Sequence, residues 1–517
     1  MIRILPFLLL FTASVFAQNG VFDDSFGVSG HLEFSVGDQN TRGVKMLLLP
    51  DQSIILTGNT DQSLFGALIN RSLFVSRHTP DGQPDPNFGN NGTLVIENGP
   101  NGDTILFDAQ IQNDGRIIIS AKINGAHALV RISADGIFDG SFGTNGIAVT
   151  GSSGKLIVGP DGKITVVDLY YDGYDSIYRF ARFHANGTAD LNFGTNGVQT
   201  QDITSYRFDL PLAVKMHDDK IVVAGSSYDF ADQQHAVISR FNANGTPDAT
   251  FGNYGTVITP FGAAPGFGLF SDIALAGDQI LAAGVMEFNG GTGGFMGSKR
   301  VMARFDQYGD LDPSFGYDGK IILDALYNGN DHFFGVTVQP DGKILGIGTA
   351  GHPYPNPQSH LVITRLNPNA TPDLTFGVAG TLTTDNDGAE TNGARQIEML
   401  PDGKLLCMGY TRSASGEHLN VLLCRIKPDA PLSLNLYEEP RIPSVYPNPA
   451  RDLVTISGLG TVKNASKYDV LGRRFATPII ASSNDQTLLD LSGTASGTYF
   501  LHLETTSGLQ IFKIVIE

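Results

Sequence analysis

One eight-residue phrase constrains this chain more than any other feature. Asp-x-x-Phe-Gly-x-x-Gly occurs seven times, with its Phe-Gly pairs at Phe26-Gly27, Phe88-Gly89, Phe142-Gly143, Phe193-Gly194, Phe251-Gly252, Phe315-Gly316 and Phe376-Gly377. The intervals run from 51 to 64 residues. Between the phrases lie short Val/Ile/Leu runs set off by Gly, Asn, Asp and Pro, and no segment keeps a helical period. Such runs form strands. A period this long with strand-type content points to a propeller or another array of small sheets.

Two further phrases fix the anatomy of the unit. Near its middle sits a turn, clearest as Pro160-Asp161-Gly162-Lys163, Pro340-Asp341-Gly342-Lys343 and Pro401-Asp402-Gly403-Lys404. Pro50-Asp51, Asp114-Gly115, Asp218-Asp219 and Gly277-Asp278 are degenerate copies. Proline pre-sets φ, Asp caps the turn and Gly accepts a positive φ, so each phrase joins two strands of a hairpin. An arginine then ends the last apolar run of each unit: Arg77, Arg131, Arg182, Arg240, Arg304, Arg365 and Arg425. In the first six, the Asp of the following phrase stands eight residues on, as Asp85, Asp139, Asp190, Asp248, Asp312 and Asp373. Segment lengths elsewhere vary and this one does not, so a fixed geometry is held there. It is read as an Arg–Asp ion pair, or an Asp that accepts turn N–H groups beside a packed Arg.

A unit reads as four short strands; for the second unit these are 93–96, 104–111, 116–121 and 126–132. A lone sheet of this size cannot bury both faces, and stacking on neighbours does so. The recurring Phe suits a wedge between sheets, and burying one such ring contributes roughly 2–3 kcal/mol. An exposed ion pair contributes about 1 kcal/mol at most. Seven units predict a seven-bladed β-propeller. The first phrase, from Asp23 to Gly30, has no Arg before it at the repeat spacing, and Arg425 has Ser433 where the Asp belongs. Closing the ring brings Asp23 to Arg425 and restores the seventh pair. The alternatives are an open curved stack of sheets and a parallel β-helix, whose coils are shorter than this unit.

The three phrases in fixed order resemble the delta-60 repeat, a bacterial family of about this period, over Asp23 to Lys427. The resemblance implies a propeller and no established reaction. The weak turn phrases of units one, four and five depart from the pattern.

Past Arg425 the repeat stops. Residues 428–442 are proline-rich and read as a linker. Then come Val445-Tyr446-Pro447-Asn448-Pro449, Tyr468-Asp469-Val470-Leu471-Gly472-Arg473, Gly497-Thr498-Tyr499 and a last apolar run holding Lys513. Alternating strands here predict a small β-sandwich over 443–517. In order and position these phrases resemble the type A C-terminal sorting domain of the type IX secretion system. That resemblance implies passage of the outer membrane in the Bacteroidota, contact with the secretion machinery, and then release or exchange for a surface anchor. The other reading is an unrelated sandwich that binds a ligand or packs on the propeller.

The N-terminus fits an exported chain. Arg3, the apolar run 5–11, and small Val15 and Ala17 read as a cleaved signal peptide over 1–17, which places the repeat array at 18–427. The run is too short to span a bilayer. The net charge of −18 repels phosphate backbones and anionic lipid, which disfavours nucleic acid as a partner. Two cysteines, Cys407 and Cys424, cannot build a disulfide framework or a four-Cys zinc site. They fall on neighbouring strands of the last unit, where two buried thiols and a cross-strand bridge are both open.

No catalytic constellation stands out. His-Glu-x-x-His, Gly-x-Ser-x-Gly, a Walker loop and a dinucleotide fingerprint are all missing, so no catalytic residue, cofactor or metal is assigned. His332, His352 and His360 share one unit at irregular spacing and read as exposed loop residues. Asp385, Asn386, Asp387, Gly388 and Glu390 form an acidic stretch that falls short of a calcium loop. Tyr170, Tyr171 and Tyr174 with Asp172 and Asp175 make an aromatic-acidic loop of a composition that contacts sugar; a solvated loop is the plainer reading. The long segments 284–300 (with Phe288 and Phe295), 328–334 and 351–360 are where specificity would sit on a rigid scaffold. The sequence therefore predicts a secreted or cell-surface, non-catalytic propeller that reaches the outside through the periplasm and binds an extracellular protein or glycan. Its rivals are a polysaccharide hydrolase or lyase with carboxylates gathered in the channel, and a structural surface protein without a small ligand.

Overall fold

The computed structural model describes residues 20–427, apart from 65–66, 98, 100–102, 205–207, 230–232, 262–266, 290–295, 325, 327–328, 352–358, 384–392 and 413–417, and residues 444–517, apart from 458–461, 471, 483–485 and 506–507. The signal-peptide and linker segments lie outside the described residues. The chain divides into two compact units, Met1–Ala430 and Pro431–Glu517. Every named element is a β-strand.

In the first unit the strands form antiparallel four-stranded sheets. The first contains Asn40–Leu48, Ile54–Leu64, Ala67–His78 and Thr93–Ile96, in that order. Its neighbours begin with inner strands Ile105–Ile111, Lys155–Val158, Phe208–His217, Phe267–Ala276, Asp331–Val338 and Gly393–Met399, which makes seven such sheets among the described residues. The third and fourth are joined only by one parallel pairing, Ser176 with Phe208. Each inner strand packs against the next, and the inner strand of the seventh sheet packs against that of the first. The second strands read as unbroken apolar runs because neighbours cover both their faces; every residue of Ile344–Gly351 is buried.

The sheets are out of phase with the sequence units. Strand Thr93–Ile96, which follows the Phe-Gly phrase, pairs with Ala67–His78 and completes the first sheet instead of opening the second. The phrase is the turn between the third and fourth strands of one sheet, so an antiparallel return to the same sheet is the short connection. For the same reason the seventh sheet, Gly393–Met399, Leu405–Arg412 and Leu419–Lys427, is completed by His31–Phe34 from the other end of the array. Val21–Phe22 pairs with the same strand at Ile426 and Lys427.

The Arg–Asp pairs sit where the third strand meets that turn. Arg425 Nε donates to Asp23 Oδ2 at 2.9 Å, the contact that ring closure requires. In the other six copies the Arg Nε to Asp Oδ2 distance is 2.8–3.4 Å. The pairs are not the exposed ones assumed from sequence: Asp190 is 1% exposed and Arg365 0%. Burial follows from a third partner. The guanidinium reaches across to a carbonyl in the next sheet, as in Arg77 Nη1 to Ala134 O (3.2 Å), Arg182 Nη1 to Ala243 O (2.9 Å) and Arg425 Nη1 to Pro80 O (2.7 Å). In six copies it also lies 4.3–4.8 Å from the centre of the phrase Phe ring. That ring is buried and packs under a turn glycine of the next sheet; a Cβ on Gly136 would stand 2.9 Å from Phe88. The Lys of the Pro-Asp-Gly-Lys turn completes the cluster, with Lys163 Nζ 3.1 Å from Asp190, Lys343 Nζ 3.2 Å from Asp373 and Lys404 Nζ 3.2 Å from Asp23. Cys407 and Cys424 are direct cross-strand neighbours, buried and unbridged.

The second unit is a sandwich of two four-stranded sheets. One is Ser444–Tyr446, Leu453–Ser457, Gln486–Asp490 and Ile479–Ser482; the other is Arg474–Ala476, Val462–Asp469, Gly497–Thr505 and Gly508–Ile516. Val454, Ile456, Leu489, Leu501, Leu503 and Ile514 form its core at alternate positions. Asn448 of the Tyr-Pro-Asn-Pro opening brackets the last strand: Nδ2 donates to Lys513 O and Oδ1 accepts from Val515 N. Asp469 and Arg473 close one turn, with Nε to Oδ2 at 2.6 Å.

Candidate functional site

The inner strands line a central channel with a cavity of about 390 Å³, to which all seven contribute; Lys45, Asp108, Lys155, Lys215, Asp272, Thr337 and Glu398 represent one strand each. A β-bulge aims side chains into it. In six sheets the pairing of the first two strands slips by one residue at the same place, leaving Val44, Phe107, Leu212, Ser271, Phe334 and Arg395 as the extra residue. Opposite five of these bulges stands Gly58, Gly225, Gly284, Gly348 or Gly409, where a Cβ would come within 1.9–2.0 Å of a carbonyl oxygen on the inner strand. These glycines each stand four residues after the first residue of an apolar run, as in Ile221-Val222-Val223-Ala224-Gly225. This recurrence is the mark of the channel wall in the sequence, less conspicuous than the three longer phrases.

The channel charges are held by the sheets themselves. Asp108 Oδ2 accepts from Leu156 N at 2.9 Å and Asp272 Oδ2 from Val336 N at 3.0 Å, each across to the next sheet. Gln396 does the same with Met46, accepting from its N and donating to its O, both at 2.8 Å, and it also donates to Glu398 Oε1 at 2.8 Å. Burial depresses the Lys45 pKa, but Asp108, Asp272 and Glu398 together outweigh it and raise the value above that of an ordinary lysine.

At the end where the inner strands begin, the fifth, sixth and seventh sheets open a second cavity of about 440 Å³, walled by Glu287, Ser298, His332, Phe334, Thr349 and Tyr410. His332 Nε2 is hydrogen-bonded to Ser271 Oγ at 2.7 Å, and its ring stacks on Phe334 with centroids 4.0 Å apart. Arg395 lies 5.7 Å from the Phe334 ring centre. Burial, and then Arg395, pull the His332 pKa down to about 4, so the imidazole is neutral near pH 7. His332 is thus not the exposed loop residue read from sequence. It belongs to the inner strand Asp331–Val338, which takes up residues 331–334 of the segment 328–334. His360 also lies on a strand, Ser359–Leu366, and is half-buried. At the same end of the fourth sheet, buried Asp209 accepts from Ser227 Oγ, Thr204 Oγ1 and Ile203 N, yet burial dominates and its pKa rises to about 6.

Other residues singled out in the sequence do not gather here. His352, the acidic stretch 385–390 and the tip 290–295 of the longest insertion lie outside the described residues; the insertion's arms are strands Gln279–Asn289 and Met296–Phe305. Tyr170, Tyr171 and Tyr174 cap the hairpin of the third sheet, exposed, with Asp172 Oδ1 accepting from the N–H groups of Tyr174 and Asp175. Among the described residues no group of three His, Cys, Asp or Glu is placed to hold a metal ion.

Residues 444–517 match the family model described as "Secretion system C-terminal sorting domain". Residues 217–251 and 339–376 match "Domain of unknown function (DUF5122) beta-propeller". The chain is a propeller-repeat protein with a type IX secretion sorting domain. The propeller-repeat protein is therefore marked for export, to the cell surface or beyond it. Among its described residues no helix is long and apolar enough to cross a membrane. No curated protein matches it. Among solved structures it is similar to Drosophila Semaphorin 2a (8% identity, 97% of this chain and 99% of that one, TM-score 0.45). It is also similar to a protein of unknown function from Dyadobacter fermentans (12%, 77% and 100%, TM-score 0.34) and to virginiamycin B lyase from Staphylococcus aureus (11%, 76% and 98%, TM-score 0.26).

Proposed function

We propose that the chain is a secreted or surface-held, non-catalytic seven-bladed propeller whose array, 18–427, serves as a binding scaffold and whose 443–517 sandwich is the export tag, with 428–442 the linker between them. The observation that carries this reading is the state of the channel carboxylates. Asp108, Asp272 and Glu398 each already accept a hydrogen bond from the propeller, and all three surround Lys45. An acid pair for glycoside cleavage needs one carboxyl protonated and the other free to attack or to activate water. Carboxylates committed to stapling sheets and neutralised by a lysine suit a wall. The mouth, by contrast, is a concavity in which the rings of His332, Phe334 and Tyr410 stand among the polar groups of Glu287, Ser298, Asn330 and Thr349, a mixture that suits a polar ligand with an apolar face.

The test is a glycan and extracellular-protein array probed with the mature chain, alongside turnover assays on a polysaccharide panel. Binding without turnover is the expected result, lost on Phe334→Ala. Turnover of any substrate overturns the reading; silence on both leaves a structural surface protein. The enzymatic alternative has one observation in its favour, the Ser271–His332 hydrogen bond inside the mouth, and abolition of turnover by Ser271→Ala is its signature.

A further inference from the structure

A second site lies on the outer flank of the array, between the third and fourth sheets. The seven Phe-Gly phrases share one left-handed position, occupied by Ser29, Asn91, Asn145, Asn196, Tyr254, Asp318 and Ala379, with φ between 49° and 54°. Asn and Asp are the non-glycine residues that adopt this conformation most readily; a bulky tyrosine is an outlier there. Burial does not compensate, because Tyr254 is 82% exposed. The fold gains nothing visible from this side chain and loses stability by carrying it. Strain kept without structural return marks a functional position.

Tyr254 also forms one wall of a groove of about 800 Å³. Ile258 also lines it, and Gln201 and Asn253 supply side-chain amides beside the Tyr254 hydroxyl; the Thr256 hydroxyl is buried and bonded to Ser239. Asp202 is the sole charged residue among those that line it, and no lysine or arginine is among them. We propose that this groove binds a neutral oligosaccharide, the exposed face of Tyr254 stacking on the C–H face of a pyranose ring. Side-chain amides and hydroxyls both donate and accept, which matches sugar hydroxyls, and the lack of a cation leaves nothing to hold a uronate, sulfate or phosphate. The site shares no residue with the channel mouth, so it stands or falls apart from the function proposed there.

The decisive substitution is Tyr254→Asn, because Asn stands at this position in three other copies. The full mature chain is titrated with cellohexaose, xylohexaose, mannohexaose and, as an acidic control, hexagalacturonate. Saturable binding of at least one neutral hexaose is expected, weakened by about tenfold or more in Tyr254→Asn, while the melting temperature of that variant equals or exceeds the parent's. The proposal is overturned if no neutral hexaose binds, if only hexagalacturonate binds, if affinity survives Tyr254→Asn, or if that substitution lowers the melting temperature and so reveals a structural role. Competition of the hexaose by an extended basic peptide, without an effect of Tyr254→Asn, would assign the groove to the exposed edge of strand Thr256–Thr259 instead.

Discussion

The two ends of the inner strands differ in kind. At the turn end, the same Arg, Asp and Phe recur in every sheet, with the Arg–Asp pair in all seven and the Arg–Phe contact in six, down to the pair Arg425–Asp23 that joins the two extremities of the array. Away from that end, along the channel and its mouth, equivalent positions carry Val44, Phe107, Leu212, Ser271, Phe334 and Arg395, and no two neighbouring sheets agree. Repetition is what packing asks for, since each junction between sheets poses the same steric and electrostatic problem. Divergence on a common bulge means that the scaffold there is indifferent to side-chain identity. Stability should therefore be concentrated at the turn end and ligand chemistry at the mouth.

The largest effect expected from that contrast is at ring closure. Arg425→Ala strips the main partner from Asp23, which is 2% exposed, and removes the bond to Pro80 O. Breaking a buried, hydrogen-bonded pair costs about 3–5 kcal/mol. Lys404, 3.2 Å away, keeps the cost toward the lower figure. Urea unfolding of the parent and variant measures it. A loss below about 1 kcal/mol would mean that the seventh junction does not hold the ring, and the comparison would fail at its strongest point.

A glycine pair sharpens the steric side. Gly136 and Gly115 both have positive φ, near 80°, but a methyl on Gly136 meets the Phe88 ring at 2.9 Å and one on Gly115 meets open space. Gly115→Ala carries only the conformational penalty, about 1–2 kcal/mol. Gly136→Ala adds overpacking of about 1–3 kcal/mol. Equal losses in thermal or urea unfolding would show that the Phe wedge has room to give.

The carboxylates of the two ends also titrate with opposite sign. At the turn end burial pushes Asp373 up, but Thr375, Arg365 and Lys343 outweigh it and bring its pKa to about 2; Asp190 and Asp248 are lowered for the same reasons. Such a group binds its proton more readily unfolded than folded. Its contribution is complete above about pH 4 and is lost as pH falls through the folded value near 2. Asp209 at the mouth end is raised to about 6. The folded chain holds the proton more tightly there, so the contribution of Asp209 to stability declines as pH rises from about 4 to 6, by at most about 3 kcal/mol. Asp209→Asn should flatten that slope and match or exceed the parent at pH 7. Parent and Asp209→Asn curves that run parallel from about pH 4 to 6, with His332 contributing the opposite slope equally in both, would remove Asp209 from the account.

How much of this could be read from the chain follows from the same contrast. The Arg–Asp interval of eight residues, the Phe-Gly phrase and the turn glycines are local and repeated, so the sheet junctions and the closure by Asp23 were legible without coordinates. The phase of the sheets was not: strands 93–96 and 31–34 belong to the preceding and the last sheet, and only hydrogen-bond pairing reveals that. The mouth was hidden for a different reason. Ser271, His332 and Arg395 come from three sheets, 61 residues separate the first from the second, and nothing local distinguishes them. His332 looked like a loop histidine because its partner lies on another sheet.

The smallest expected effect on stability is at the mouth, and it tests the contrast from the opposite side. Arg395 is exposed and lies over the Phe334 ring, with no ion pair to an acidic side chain among the described residues. Exposed substitutions away from caps and buried pairs usually stay within about 0.5 kcal/mol. Arg395→Gln keeps most of the side-chain length and removes only the charge, so unfolding should scarcely change. It should, however, relieve His332, whose low pKa owes part of its depression to that guanidinium. Imidazole titration followed by NMR should move upward from about 4 toward 6.5 while stopping short of it, since burial is the larger cause and stays in place. A neutral His332 destabilises the fold only as pH drops from 6.5 toward its folded value, so the variant should also resist mild acid slightly better. An unfolding cost of 2 kcal/mol or more for Arg395→Gln would place stability at the mouth as well, and the division between a repeated frame and a free wall would be lost.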